Sequence, residues 1–436
     1  MHQKTTMQEA LPAVTHKTTY LLSSYPAVSH TFFLTEIRAL REQGLDVDVI
    51  SINDCDRPNE RLTALERQEK ANTFYLKSSG LRRVLGAHLK TVLHAPLRYL
   101  RALGYALALA DGSPRMLLYR LFYFLEAVVV IQHMRRTGSR HLHVHFGSEV
   151  ATVALIAKQL EAITLSLTIH GSDEFYNVSA YHLDRKIKAA DFIFCISHFT
   201  ASQLMRLTDY EDWDKIQVSR LGIDVEKFTP SAPGVKLHDD INILCVSRLT
   251  LSKGLHLLLQ ACAPLMQKFP QLTLTVVGDG EQRASLQRLA ARLKIEDRIH
   301  FAGAVNQDQI LPYYRQADIF CLPSFAEGVP VVLMEAMAMA LPCVTSCING
   351  IPELIEDGHN GRLVSAADAQ ALQMALNELI ADPEKRQRIG QAARETVVAR
   401  YNRDTNFAML ARRFSERLAA CEHPGQPHPD RLESYV

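Results

Sequence analysis

Two glutamates eight positions apart, Glu327 and Glu335, stand in the segment Ser324-Phe-Ala-Glu327-Gly328-Val-Pro330-Val-Val-Leu-Met-Glu335, directly after the apolar run Ile319 to Leu322. Pro330 suits the first turn of a helix, and Gly328 leaves backbone room just before it. The N–H groups around Val331 and Val332 would then face an anion such as a phosphate, at the positive end of the helix dipole. Glu327 precedes that helix start and Glu335 lies more than a turn inside it. The two carboxylates therefore reach different parts of one extended, hydroxyl-rich ligand, for instance a sugar and a ribose.

A second loop, Ser247-Arg248-Leu-Thr-Leu-Ser-Lys253-Gly254, follows the apolar run Ile243 to Val246 and carries two cations. Fixed Arg and Lys donors suit two phosphates and stabilise the charge that builds on a departing diphosphate. Hydrogen bonds to charged groups contribute about 1.5–3 kcal/mol each, one or two powers of ten in rate. The turn Val276-Val-Gly278-Asp-Gly280-Glu meets only part of the dinucleotide fingerprint, because Arg283 occupies the third glycine position. It argues against a dehydrogenase and fits close backbone approach to a nucleotide.

In the first half of the chain, Leu165 to Ile169 runs into His170-Gly171-Ser172-Asp173, an imidazole and a carboxylate at a strand's carboxyl end. His170 suits a hydrogen bond to a sugar hydroxyl or a proton transfer, and Asp173 suits orienting it or meeting an acceptor. A satisfied structural histidine is the alternative. His141, His143 and His145 alternate and share one face of a strand. No carboxylate or cysteine partner for them is identifiable in the sequence, so packing is the reading there and no metal site is expected.

Residues of this kind work only where elements bring them to one edge. Apolar runs of four to seven residues alternate with segments of helical period, the pattern of parallel sheets covered by helices, so the fold class is α/β. Candidate strands are Tyr20 to Ser23, Val47 to Ile52, His141 to His145, Leu165 to Ile169, Phe192 to Ile196 and Ile216 to Val218, then Ile243 to Val246, Leu272 to Val277, Ile299 to Phe301, Ile319 to Leu322 and Cys343 to Thr345. Two such series predict two doubly wound domains facing a cleft, where ligands bind beyond the carboxyl ends of the strands. A stretch rich in Pro, Gly and polar residues, Phe228 to Asp240, reads as the linker. The expected division is 1–234, 235–400, a final helix at 401–421 and a disordered tail at 422–436.

The chain has 436 residues, 47% hydrophobic and 22% charged, which excludes a disordered chain or a small disulfide scaffold. With 48 Lys and Arg against 47 Asp and Glu, nothing calls for a nucleic-acid partner. The eight cysteines form no CxxC pair, and those in strand-like runs read as buried thiols of a reducing compartment. No run reaches the length of a spanning helix and the first 16 residues do not read as a secretory signal, so a cytoplasmic location is expected. One segment departs from neutrality. Between Leu81 and Arg136 nine Lys and Arg face only Asp111 and Glu126, a net of +7, with Leu85, Leu89, Leu93, Leu97 and Leu100 near helical spacing. It reads as a basic amphipathic insertion (81–136) able to hold the protein on the anionic inner face of the cytoplasmic membrane, or as solvated domain helices.

Arg248 to Gly254, Gly278-Asp-Gly280, the Glu327 and Glu335 segment and Gly350-Ile-Pro-Glu-Leu-Ile-Glu-Asp-Gly358-x-x-Gly361 resemble the family 4 retaining glycosyltransferases. Tyr25-Pro26-x-x-Ser29-x-Thr31-Phe32 with Glu36-Ile37, His143 to Gly147 and His170 to Asp173 are similar to the branch that builds bacterial exopolysaccharides of the colanic acid type. The resemblance implies two Rossmann-like domains in the GT-B arrangement and metal-independent hexosyl transfer from a UDP- or GDP-sugar to a polyprenyl-linked or oligosaccharide acceptor, with no cofactor. Carried over by motif, Arg248 and Lys253 hold the diphosphate, Glu327 the donor sugar, Glu335 the ribose and His170 a sugar hydroxyl. Ser29 falls on the acceptor side, and the last helix crosses back to the first domain. Ala340 stands where many members have glycine, a change expected to be mild because alanine is small. The competing readings are a nucleotide-sugar epimerase or phosphorylase of similar fold, and a non-catalytic nucleotide-sugar-binding protein.

Overall fold

A computed structural model describes residues 17–27, 31–171, 173–230, 240–306 and 309–422. Seven strands, β1 (Thr18–Ser24), β2 (Val47–Asn53), β3 (Thr73–Tyr75), β4 (His141–His145), β5 (Thr164–Ile169), β6 (Phe192–Cys195) and β7 (Ile216–Val218), form one sheet in the order β3-β2-β1-β4-β5-β6-β7. Six more, β8 (Ile241–Val246), β9 (Leu272–Val277), β10 (Ile299–Gly303), β11 (Ile319–Leu322), β12 (Cys343–Ser346) and β13 (Arg362–Val364), form a second in the order β10-β9-β8-β11-β12-β13. Every pairing is parallel. Helices cover both faces, so the inner strands bury side chains on both sides and read as unbroken apolar runs, β6 as Phe-Ile-Phe-Cys and β11 as Ile-Phe-Cys-Leu. The eleven anticipated strands are all present. Only β3 and β13, three residues each at the sheet edges, were not anticipated.

The chain crosses between the sheets twice, and the crossings are tied together. Ile223 donates its N–H to Tyr401 O at 2.9 Å, Arg403 returns its N–H to Ile223 O at 2.9 Å, and the Arg403 guanidinium bonds Asp224 at 2.8 Å. The approach is close enough that a Cβ on Gly222 would lie 2.5 Å from Arg403 Cα. Beyond this point helix Arg403–Glu422 packs on the first sheet, where Phe407, Leu410, Phe414 and Leu418 join Tyr20, Leu22, Phe192 and Phe194 in one buried cluster. Phe414 meets Phe192 edge-on at 5.4 Å and His141 at 5.5 Å. Truncating such a fully buried ring costs about 3–5 kcal/mol. Of the anticipated linker, Phe228 to Asp240, residues 231–239 lie outside the described residues, while Phe228 itself is buried; of the anticipated tail at 422–436, Glu422 ends the last helix and the rest lies outside the described residues.

The basic segment is three helices, Leu81–His94, Pro96–Ala108 and Pro114–Thr137. Its leucines are turned outward: Leu85, Leu89, Leu93 and Leu97 are 60–81% exposed. Its cations are not all on that surface, contrary to a uniformly solvated basic face. Arg120 is buried and donates to Leu109 O at 3.1 Å and Ala180 O at 3.3 Å, and Arg135 pairs with Glu161. No described helix is long and apolar enough to cross a membrane.

Candidate active site

A cavity of 1080 Å³ lies where the carboxyl ends of the two sheets face each other. Arg248, Ser252, Lys253, Ala326, Glu327 and Gly328 line it from the second domain, and Phe146, His170, Gly171 and Glu174 from the first. It continues along Tyr119, Phe122, Tyr123, Glu126 and Val129 of helix Pro114–Thr137, so the basic insertion is itself a wall of the cleft.

On the second-domain wall the loops after β8 and β11 are bound to each other. Phe325 N–H donates to Ser252 O at 2.7 Å, and Lys253 Nζ bonds Glu327 Oε1 at 2.7 Å. Ser324 Oγ donates to the same carboxylate oxygen at 2.7 Å, and Asn349 Nδ2 holds the Glu327 carbonyl at 2.8 Å. The cation and acid assigned to different parts of a ligand are thus each other's partner, and a phosphate approaching Lys253 competes with Glu327. Arg248 is exposed in the cavity. Gly254 sits at φ +65° with Pro323 O 2.1 Å from where a Cβ would be, so only glycine lets this loop close against its neighbour.

Pro330 caps helix Val331–Ala338 with φ −70° and ψ 124°, one position earlier than anticipated. Val331 and Val332 form the open first turn, whose N–H groups lack intrahelical acceptors. Glu335 lies deeper: it is 6% exposed, accepts from Tyr314 Oη at 2.8 Å and is not part of the cavity wall. Burial pushes its carboxyl up to about 7, against the opposing effects of the Tyr314 hydrogen bond and the Lys227 charge. Gly278 and Gly280 also stand away from the cavity. A Cβ on Gly278 would lie 1.8 Å from Ser247 O and one on Gly280 2.6 Å from Leu249 O. The close approach these glycines permit is therefore to the backbone of the Arg248 loop. Ala340 adopts φ +56°, so the cost of alanine there comes from left-handed backbone and not from its size, which corrects the reason given for a mild change.

The first-domain wall is assembled differently. His170 packs against Phe32 at 4.9 Å and Phe146 at 4.6 Å, and its Nε2 lies 2.8 Å from His145 Nδ1. Its carbonyl touches the opposite domain, since a Cβ on Gly328 would be 2.1 Å from His170 O. Asp173 opens a short helix, Asp173–Tyr176, but its side chain, like Ser29 and Ser172, lies outside the described residues. Its neighbour Glu174 had no assigned role and carries the structure. The buried Glu174 carboxylate accepts the N–H groups of Gly147, His170 (3.2 Å) and Gly171 (2.9 Å), fixing both loops that line the cavity. Burial pushes its carboxyl up to about 7, opposed by those N–H groups and by Lys186. Lys186, fully buried, donates to Gly147 O at 2.8 Å and Ser148 O at 2.7 Å, and burial drives its ammonium down to about 7. Only the adjacency of Glu174 to the His170 motif could have drawn attention to it.

The three histidines of β4 are buried, and each ring nitrogen has a partner. His141 bonds Thr164 and Ser166 at 2.7 Å, and His143 bonds Ser166 at 2.7 Å and Thr168 at 3.1 Å. The carboxylate that the sequence did not reveal is Glu36, from helix Thr31–Glu42, 3.0 Å from His145 Nε2. Glu36, His143 and His145 are close enough to hold an ion, but these hydrogen bonds already satisfy them. Across the domain interface Glu353 accepts the N–H groups of His198 (2.9 Å) and Phe199 (2.7 Å), capping helix His198–Met205 from the other domain.

A cleft with two cations and a carboxylate on one wall and an imidazole on the other, between two parallel-sheet domains, defines an enzyme of GT-B architecture. Residues 30–227 match the description Glycosyltransferase Family 4 and residues 230–396 match Glycosyl transferases group 1. The amylovoran biosynthesis glycosyltransferase AmsK of Erwinia amylovora is 31% identical over 92% of this chain and 100% of its own. The putative colanic acid biosynthesis glycosyltransferase WcaL of Salmonella typhimurium is 28% identical over 91% of this chain and 98% of its own. Among solved structures, sucrose-phosphate synthase from Thermosynechococcus elongatus superposes with a TM-score of 0.71 at 20% identity, covering 93% of this chain and 100% of that one. Anabaena HepE in complex with UDP-glucose gives 0.69 at 20% identity, covering 92% and 99%. The chain belongs to the family 4, group 1 glycosyltransferases, and glycosyl transfer prevails over the epimerase, phosphorylase and non-catalytic readings.

Proposed function

We propose that the protein transfers a hexose, with retention and without a metal, from a UDP- or GDP-sugar to a polyprenyl-linked or oligosaccharide acceptor during exopolysaccharide assembly. The observation that carries this reading is the cavity in which Arg248, Lys253 and Glu327 face His170. The names of AmsK and WcaL support the exopolysaccharide class, and the HepE complex supports a nucleoside diphosphate donor. Arg248 and Lys253 receive the diphosphate together with the open first turn at Val331 and Val332, and they supply the positive charge that a metal would otherwise bring. Glu327, released from Lys253, accepts a donor-sugar hydroxyl; Glu335 serves the ribose, and His170 and Asp173 serve hydroxyls near the reacting carbon. The bond from the anomeric carbon to the diphosphate breaks as the acceptor oxygen bonds that carbon from the same face. The acceptor proton passes to the leaving phosphate oxygen.

The acceptor enters along the aromatic wall of helix Pro114–Thr137, and the outward leucines and cations of the insertion rest on an anionic membrane. Purified protein incubated with a panel of nucleotide sugars, with and without polyprenyl-diphosphate oligosaccharides, should release one nucleoside diphosphate in an acceptor-dependent manner. No release with any donor overturns the reading. Flotation with phosphatidylglycerol vesicles at low salt tests the membrane contact: wild type should float and a Leu89→Asp/Leu93→Asp variant should not. Failure of wild type to float removes the contact.

A further inference from the structure

One arm of the cleft is built by the first domain. Tyr119, Phe122, Tyr123, Glu126 and Val129 recur at helical spacing, so they form one face of helix Pro114–Thr137, and all five line the cavity. The opposite face of that helix, with Phe124, Val128 and Ile131, packs into the first-domain core. Ile52 of β2 and Val150 and Val153 of helix Glu149–Leu160 add aliphatic walls. Aromatic rings and aliphatic side chains around a few polar groups are the composition of a pocket for a small ligand.

Glu126 is out of place in such surroundings. Glu174 and Glu327, which also line the cavity, are bonded to protein groups, whereas the half-buried Glu126 has no hydrogen-bond partner among the described residues. Burial pushes its carboxyl up to about 7, opposed only by the Lys77 charge, and Lys77 Nζ is itself held by Asn53 Oδ1 at 2.7 Å. A carboxylate among apolar side chains costs stability unless something bonds it. Glu149 lines the same arm; burial and its charge push the Tyr123 hydroxyl up to about 12, so that hydroxyl keeps its proton. The Arg120 guanidinium lies over the Tyr123 ring at 5.5 Å, but it is turned to Leu109 O and Ala180 O.

Rings beside carboxylates suit a sugar, which lays its C–H face on the rings and gives its hydroxyl hydrogens to the acid. They suit a phosphate badly, because Glu126 and Glu149 repel it and the cation of this arm, Lys77, is already engaged. We propose that the arm is a subsite for a sugar residue already carried by the acceptor, with Glu126 as the group that binds its hydroxyls. The enzyme then lengthens an existing saccharide and does not place the first sugar on polyprenyl phosphate. An earlier transfer of sugar to the lipid carrier must supply its substrate. This deepens the glycosyl-transfer reading and rests on it for the reaction, but sugar binding at Glu126 is measured without turnover.

Saturation-transfer NMR with the methyl glycosides of glucose, galactose, mannose and fucose supplies that measurement. At least one should give ring-proton signals with wild type that fall about fivefold or more in Glu126→Ala. Silence from all four, or signals that persist in the variant, overturns the proposal. In transfer assays farnesyl-diphosphate-linked saccharides should accept the hexose and farnesyl phosphate should not; transfer to farnesyl phosphate overturns it. With the accepting saccharide, Glu126→Gln should raise the acceptor KM about tenfold and leave KM for the nucleotide sugar within about twofold. A structural role for Glu126 predicts a lower thermal midpoint in Glu126→Gln, whereas a ligand-binding carboxylate disfavoured by burial predicts an equal or higher one above neutral pH. A lower midpoint with an unchanged acceptor KM overturns the proposal. If wild type transfers no sugar from any donor, the glycosyl-transfer reading fails and the NMR still decides whether Glu126 holds a sugar.

Discussion

The two walls of the cleft are built by opposite means. On the second-domain side, cations and acid sit on two loops that follow neighbouring strands and bond to each other across the cavity rim, Lys253 to Glu327 and Phe325 to Ser252. On the first-domain side, the groups at the surface are held from beneath, with Glu174 and Lys186 bracing the loops and His145 backing His170. In the proposed reaction the first wall exchanges partners with ligand, whereas on the second a buried polar frame holds the surface groups in place. Substitutions of the ligand-exchanging groups should change rates, and those of the loop braces Glu174 and Lys186 should change stability.

The largest expected effect is on the ligand-exchanging wall. Lys253→Ala should lower kcat/KM by about 100-fold through loss of a charge-assisted phosphate contact, with thermal unfolding little changed. Equal loss of stability would break the contrast. Next, Glu174→Ala should lower the free energy of unfolding by about 2–4 kcal/mol in urea titration, because three buried N–H groups lose their acceptor and the Lys186 ammonium loses a nearby opposite charge. A stable variant with altered turnover alone would place Glu174 among the ligand-contacting groups.

The third prediction concerns pH. The folded chain holds protons on Glu174 and Glu335 up to about 7, whereas the unfolded chain releases them near 4.5. Between those values the native state binds more protons than the unfolded one, so stability falls as pH rises through the window. Glu335→Gln, which does not titrate, should flatten that decline in the thermal midpoint measured from pH 4.5 to 7. The smallest effect is at Ala340, held at φ +56°. Ala340→Gly relieves left-handed strain and should gain about 0.5–1 kcal/mol after the added entropy of the unfolded chain is subtracted. Loss of stability instead would show that the methyl group packs usefully.

The same contrast explains what could be read in advance. Glu327, Lys253 and Arg248 were legible because each lies within a short motif directly behind an apolar run, and a parallel sheet delivers such motifs to one edge. Glu36, His145, Glu174 and Lys186 were not, since they come from different elements and no spacing along the chain announces their meeting. His141, His143 and His145 were legible as one strand face, but the partner of His145 lies 109 residues away. At Gly278 and Gly280 a requirement for glycine was recognised, and one cause of it, the Arg248 loop pressed against them, belongs to the tertiary fold. Arg120 looked like one more surface cation until helix packing buried it.

The paired crossings at Ile223 and Arg403 bear on how substrates come and go. A single tether would let one lobe swivel about the other in any direction, but two strands laced side by side resist twisting and leave bending as the easy motion. The halves are then confined to swinging like the covers of a book about one spine.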